Sequence, residues 1–145
     1  MKDIPVKRLK QNAILPTYGS AEAAGADLYA CLDNPVEIQP GETVFVPTGL
    51  AMEIPKGYAG FIYARSGLAC KRGLAPANKV GVIDSDYRGE FIVVLHNHGP
   101  AAQEIAHGER IAQLVIAPVL TPDFTEVEEL SDTTRATGGF GSTGK

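Results

Sequence analysis

Apolar positions in this chain fall into short runs rich in β-branched residues: Val36 to Ile38, Glu42 to Val46, Gly60 to Tyr63, Val80 to Ile83, Phe91 to His96 and Arg110 to Val119. Turn-forming residues recur between them about every ten residues, the spacing of strands in a sandwich or barrel. Sixteen Gly and ten Pro are scattered throughout, so a long helix has nowhere to run. One short helix is expected, Ser66 to Lys71, ended by Gly73. There is no internal repeat and no linker; only the tail from Ser131 onward shifts composition, towards Thr and Gly. The pattern predicts an all-β domain over residues 1–130, a jelly-roll-like β-sandwich, followed by a flexible Gly-rich arm over 131–145.

Composition narrows the class. At 145 residues the chain is one domain, long enough to bury roughly 70% of its unfolded surface without a disulfide or metal staple. The opening Met1-Lys2-Asp3-Ile4-Pro5 has no apolar core of a signal peptide, and no run approaches a membrane span. Cys31 and Cys70 form no C-x-x-C pair and are expected to be reduced, in a cytoplasmic protein. A net charge of −4 argues against nucleic acid as a partner, so a polyanionic ligand must be met by local basic groups, backbone N–H groups and a cation. His96 and His98 have zinc-like spacing, but two ligands are too few for a site, and His107 reads as a loop residue.

The stretch richest in candidate chemistry is Gly81-Val82-Ile83-Asp84-Ser85-Asp86-Tyr87-Arg88-Gly89, between the apolar runs 79–83 and 91–95. Two such runs joined by a polar segment ending in Gly predict a β-hairpin, and Asp and Ser suit its turn. The same stretch holds what a nucleobase site needs: a carboxylate at a strand end (Asp84), a flat wall (Tyr87) and, six residues upstream, the amide of Asn78. Asp27, after Gly25, is either a turn Asp or a functional carboxylate. Arg65-Ser66-Gly67 opens the short helix, where free N–H groups suit phosphate; Ser66 is equally a good N-cap. Gln113 lies on an alternating strand that reads as an edge strand or as a mount for a functional amide. In the tail, Gly139-x4-Gly144-Lys145 matches the start of a P-loop. The match is false, because no buried strand precedes it and no Ser/Thr or helix follows. A Gly-rich arm with Arg135 and Phe140 is either a disordered tail or a wrap whose amides hold phosphates while the ring stacks on a base.

Taken together, these five stretches resemble, in order, the five motifs of the trimeric dUTPases, over Ala24 to Gly144. The resemblance implies hydrolysis of dUTP to dUMP and pyrophosphate by water attack on the α-phosphorus, keeping uracil out of DNA and supplying dUMP for thymidylate synthesis. It implies Asp84 as general base, with Gln113 helping to hold the reacting phosphate and water. Arg65, Ser66, Gly67 and Arg135 would hold the phosphates. Asn78, Val82 and Ile83 would border the uracil, Tyr87 the sugar, and Phe140 and Gly141 the closing arm. The cofactor implied is Mg²⁺, contacted by Asp27 through water, and the assembly a homotrimer with sites shared between subunits. Ala136 stands where the family usually has Gly, so the arm is expected to be stiffer there. Two rivals are a related dCTP deaminase, which needs an acid–base Glu, and a nucleotide sensor that does not cleave; release of ammonia from dCTP or of pyrophosphate from dUTP separates them.

Overall fold

The computed structural model describes residues 3–144. Among these residues the chain forms twelve strands and one helix. In order they are β1 (Val6–Arg8), β2 (Thr17–Tyr18), β3 (Ala26–Tyr29), β4 (Val36–Ile38), β5 (Thr43–Pro47), β6 (Leu50–Met52), β7 (Tyr58–Tyr63), α1 (Ser66–Arg72), β8 (Leu74–Pro76), β9 (Gly81–Ile83), β10 (Ile92–Asn97), β11 (Gln103–Ile105) and β12 (Arg110–Pro118). A five-stranded sheet runs β2-β3-β12-β7-β9 and a three-stranded sheet β5-β10-β8, with the pairs β1-β6 and β11-β4 beside them; all ladders are antiparallel. This is the all-β, jelly-roll-like sandwich expected from the sequence pattern.

Period-two alternation decides what is buried. Along β10, Val93, Leu95 and Asn97 point inward while Ile92, Val94 and His96 do not. Val93 and Leu95 join Leu28 of β3, Ile38 of β4, Val46 of β5, Ile62 of β7, Leu74 of β8, Ile105 of β11 and Leu114 of β12 in one core cluster. Burying a side chain of this size contributes about 1.5–3 kcal/mol. Cys31 belongs to the same cluster, where burial pushes its thiol pKa up; Cys70 is exposed, and both are free. No helix among the described residues is long and apolar enough to cross a membrane.

Four local expectations are corrected. The runs 79–83 and 91–95 do not form a hairpin: β9 pairs with β7, whereas β10 lies between β5 and β8. Phe91, fully buried, donates its N–H to Leu50 O, so the segment 84–91 carries the chain from one sheet to the other. β12 is not an edge strand but lies between β3 and β7, and a bulge between Arg110 and Ala112 lets Ile111 and Ala112 both face the core. Asp27 is in the middle of β3 rather than in a turn. Finally, the cap of α1 is Arg65, in extended conformation, and no side chain caps it; Ser66 is already the first helical residue.

The C-terminal end of α1 is held firmly. Gly73 takes a left-handed φ of 69° and donates to Leu68 O. Arg72 reaches from the last turn to Gln103 Oε1 (3.0 Å), Glu104 O (2.5 Å) and Glu109 Oε1 (3.1 Å), tying the helix to β11 and to the residue before β12. His96 pairs with Thr43, and His98 with Ala69 O, so the two imidazoles serve different contacts.

Asn97 is the principal buried polar clasp. Its amide donates to Ile38 O and Ala101 O, both at 2.8 Å, and its Oδ1 accepts from Gly99 N at 2.9 Å. Replacing Asn97 by Leu leaves three groups without partners, each costing about 1–3 kcal/mol. Asn97→Leu is therefore expected to lower stability by about 3 kcal/mol or more, seen as a lower urea midpoint at fixed protein concentration with an unchanged slope.

Candidate functional site

The predicted site residues form two groups at opposite ends of β7. At the Tyr63 end, β12 places Gln113 opposite Asp27 on β3 and opposite Tyr63 on β7. The Asp27 carboxylate, only 13% exposed, accepts from Arg65 Nε at 2.8 Å and lies 3.5 Å from Arg110 Nη1. Such a charge-assisted bond to a half-buried guanidinium is stronger than an ordinary surface pair, and it engages the Arg65 side chain, which makes no capping bond to α1. Gln113 Nε2 donates to Ala64 O at 2.8 Å, which fixes its amide beside the entry to α1. A β-carbon on Gly25 would lie 2.4 Å from Gln113 Oε1, so the glycine leaves the room this amide occupies. Ser66 and Gly67 lie exposed in the first turn. Beside them a cavity of about 410 Å³ is lined by Arg65, Lys71, Arg72 and Arg110 with Glu109 as the one acid, the local basic surface that a net-acidic chain needs for a polyanion.

The second group lies towards the Tyr58 end. Ile83 is opposite Gly60, three residues along β7 from Tyr63, the partner of Gln113. Three strand residues span about 10 Å, and Asp84 lies one residue further on, exposed. Asp84 lines a cavity of about 620 Å³ with Ile54, Lys56, Tyr58, Asp86 and Arg88. Arg88 braces this loop from within by donating to Ser85 O (2.8 Å) and Tyr87 O (3.1 Å). Tyr87 packs near Phe91, ring centroids 6.2 Å apart, and donates to Glu90 O at 2.8 Å. Val82 faces solvent, and Asn78 is at the other end of β9, its amide against Gly81. One chain therefore does not bring Asp84 and Gln113 together.

The arm residues join neither group. The hydrogen bonds of residues 133–144 are all internal to that segment, among them Arg135 Nε to Gly138 O at 2.8 Å. Arg135, Phe140 and Gly141 are exposed; Lys145 is outside the described residues. Ala136 has φ +47°, a left-handed conformation that costs a residue with a β-carbon about 1–2 kcal/mol, and Phe140 has φ +51°. Ahead of the arm, Leu120, Phe124 and Leu130 are about nine-tenths or more exposed and Val127 more than half. Sequence reasoning missed these four; the signal was large apolar residues set in an otherwise polar, strandless segment. It also missed Arg110 as the second cation on Asp27.

Comparison with known proteins matches this arrangement to one family. The dUTPase family profile matches residues 11–144. The chain belongs to the dUTPase family. A deoxyuridine 5'-triphosphate nucleotidohydrolase of Nautilia profundicola is 55% identical over 142 residues, 98% of this chain and 99% of the relative. One from Syntrophotalea carbinolica is 52% identical over 141 residues, 97% and 96% of the two chains. In three dimensions the Staphylococcus bacteriophage 80alpha dUTPase, solved with dUPNHPP, is similar at TM-score 0.92 and 31% identity over 100% of both chains.

dUTPase chemistry depends on a metal ion. Among the described residues no three His, Cys, Asp or Glu side chains converge to hold one. Asp27 offers a single carboxylate already bridged by two arginines. That donor set fits a hydrated cation carried by phosphate oxygens and met by Asp27 through water, and does not fit a cage made by the protein.

The Gly25 contact leads to a test of this dUTPase. Gly25 has no positive φ, so alanine fits the backbone but collides with Gln113. Gly25→Ala is expected to lower kcat on dUTP by about a hundredfold, the cost of misplacing a group by roughly 1 Å. The melting temperature is expected to change little. Steady-state kinetics beside a thermal melt checks both.

Proposed function

We propose that the chain works in the cytoplasm as a homotrimer whose sites are each lined by more than one subunit, with Asp84 as general base. The activity is hydrolysis of dUTP to dUMP and pyrophosphate, which keeps uracil out of DNA and supplies dUMP for thymidylate synthesis. The observation that supports a shared site is the separation along β7. Asp84 and the Asp27–Arg65–Gln113 group are both organised, yet about 10 Å or more apart in one chain, and the arm touches neither. Copies of the chain set side by side would complete the constellation and would cover Leu120, Phe124, Val127 and Leu130. Free Cys31 and Cys70 accord with a reducing compartment, and the net charge of −4 with a partner that is a small nucleotide and not a nucleic acid.

In this reading the Asp84 carboxylate takes a proton from water as the water oxygen bonds to the α-phosphorus; the bond from that phosphorus to the bridging oxygen breaks, and pyrophosphate leaves with its electron pair. Arg65, Ser66, Gly67, Gln113 and Arg135 hold the phosphates. Bound Mg²⁺, met by Asp27 through water, supplies charge neutralisation on the triphosphate. Uracil is read by Asn78 and the backbone of Val82 and Ile83. Its N3–H between two acceptors demands a pattern that cytosine cannot meet, and such a mismatch is worth about 10⁴–10⁵ in discrimination. The flat face of Tyr87 packs where the 2′-OH of a ribose would be, and Phe140 and Gly141 close over the base.

Asp84→Asn is expected to keep nucleotide affinity and lose about 10²–10⁴ in kcat, because an amide cannot take the water's proton. Activity within a few-fold of the parent would show the base to be another residue.

A truncation after Asp132 is expected to form trimers and be nearly inactive. Refolded with Asp84→Asn chains, it should regain activity, since mixed trimers hold sites with an intact Asp84 from one parent and an intact arm from the other. Mixtures of confirmed subunit exchange that give only the summed background would mean that each arm serves its own chain.

A further inference from the structure

Gly89 stands two residues beyond Tyr87 in the loop that carries Asp84. A β-carbon built on it would meet Tyr87 OH at 2.4 Å, Cζ at 2.6 Å and Cε2 at 2.9 Å, distances that side chains do not tolerate. All three of its nearest neighbours belong to the Tyr87 ring. The backbone makes no demand for glycine, because Gly89 is not among the positive-φ residues. The ring therefore occupies the space that every other residue type at 89 would fill.

What lies behind the ring is rigid. Its hydroxyl donates to Glu90 O at 2.8 Å. Glu90 is held in turn, its Oε1 accepting from Gly49 N at 2.9 Å, and the next residue, Phe91, is fully buried with its N–H on Leu50 O at 2.8 Å. Tyr87 is 41% exposed, so its outer face remains free for a ligand. The colliding atoms are the far end of a side chain, and the low-cost response to a residue at 89 is for the ring to leave Glu90 O and swing outward.

We propose that Gly89 is a positioning residue for substrate choice: by leaving a seat for the Tyr87 ring against the loop backbone, it holds the wall that separates deoxyribose from ribose. This rests on the role given to Tyr87 above and adds to it the residue that sets the ring's place. A wall free to swing no longer excludes a 2′-OH, whereas the water-activating carboxylate of Asp84 is untouched.

The test is kcat/KM on dUTP and on UTP for the parent, Tyr87→Ala, Gly89→Ala and the double variant, each with a thermal melt. Gly89→Ala is expected to lower the dUTP:UTP ratio about tenfold, within the range by which a packing contact discriminates, with little change in melting temperature. In the Tyr87→Ala background the same substitution is expected to change nothing. A Gly89→Ala ratio within twofold of the parent's, or a further drop in the Tyr87→Ala background, overturns the proposal. If Gly89→Ala does not fold, the double variant decides. A folded double with the Tyr87→Ala ratio places the clash on the ring, and an unfolded one means that the glycine serves the backbone instead. An unchanged ratio for Tyr87→Ala itself would remove the Tyr87 role and this proposal together, and is distinguished by occurring without any substitution at 89.

Discussion

Position 113 on β12 is opposite Asp27 of β3 on one side and Tyr63 of β7 on the other. Side chains on a strand alternate between faces, so a slip of one residue would bury Gln113 and expose Leu114, which belongs to the core. The apolar residues of β12 therefore set the register, and the register sets the polar group: Gln113 beside Ala64 O, Asp27 in reach of Arg65 and Arg110. Hydrophobic burial, a non-directional force, places a set of directional contacts because the pleat leaves it two choices and excludes one.

The same strand geometry separates the two groups of predicted site residues within one chain. β7 is a spacer of six residues, with the Asp84 loop bound near its start through β9 and the Arg65 turn at its end. No rotation of side chains closes a gap of about 10 Å. In the shared-site reading proposed above, a neighbouring copy would bring the missing group to each of these braced ends. The uncovered Leu120, Phe124, Val127 and Leu130 lie in the segment that leads from the sandwich to the arm.

Two glycines show how polar side chains are seated here alongside their hydrogen bonds to the backbone. Gly25 leaves room for the amide of Gln113, and Gly89 for the ring of Tyr87, and in neither case is a left-handed φ required. Removing a β-carbon lets a neighbouring side chain lie directly on the backbone, where its other contacts are rigid. The arm offers the opposite case: Ala136 holds a left-handed φ that glycine would take without strain.

Much of this was legible from the sequence, for identifiable reasons. Alternating apolar runs and scattered Gly and Pro dictate short strands, because each run can bury only one face and cannot continue past a breaker; Gly73 likewise stops α1 where a left-handed residue is needed. Local chemistry also singles out the residues proposed above to carry function: Asp84 with Tyr87, Arg65-Ser66-Gly67, Gln113. Partner choice between strands was not legible. The runs 79–83 and 91–95 are adjacent in sequence and look like a hairpin, but the burial of Phe91 sends them to different sheets. Nor could periodicity tell that β12 is central, that Asp27 is clamped by two arginines, or that Arg65 and not Ser66 caps α1. Those outcomes depend on contacts between residues far apart in the chain, 38 positions for Asp27 with Arg65 and 83 for Asp27 with Arg110, and the free energy of such contacts exists only once the core has brought their strands together.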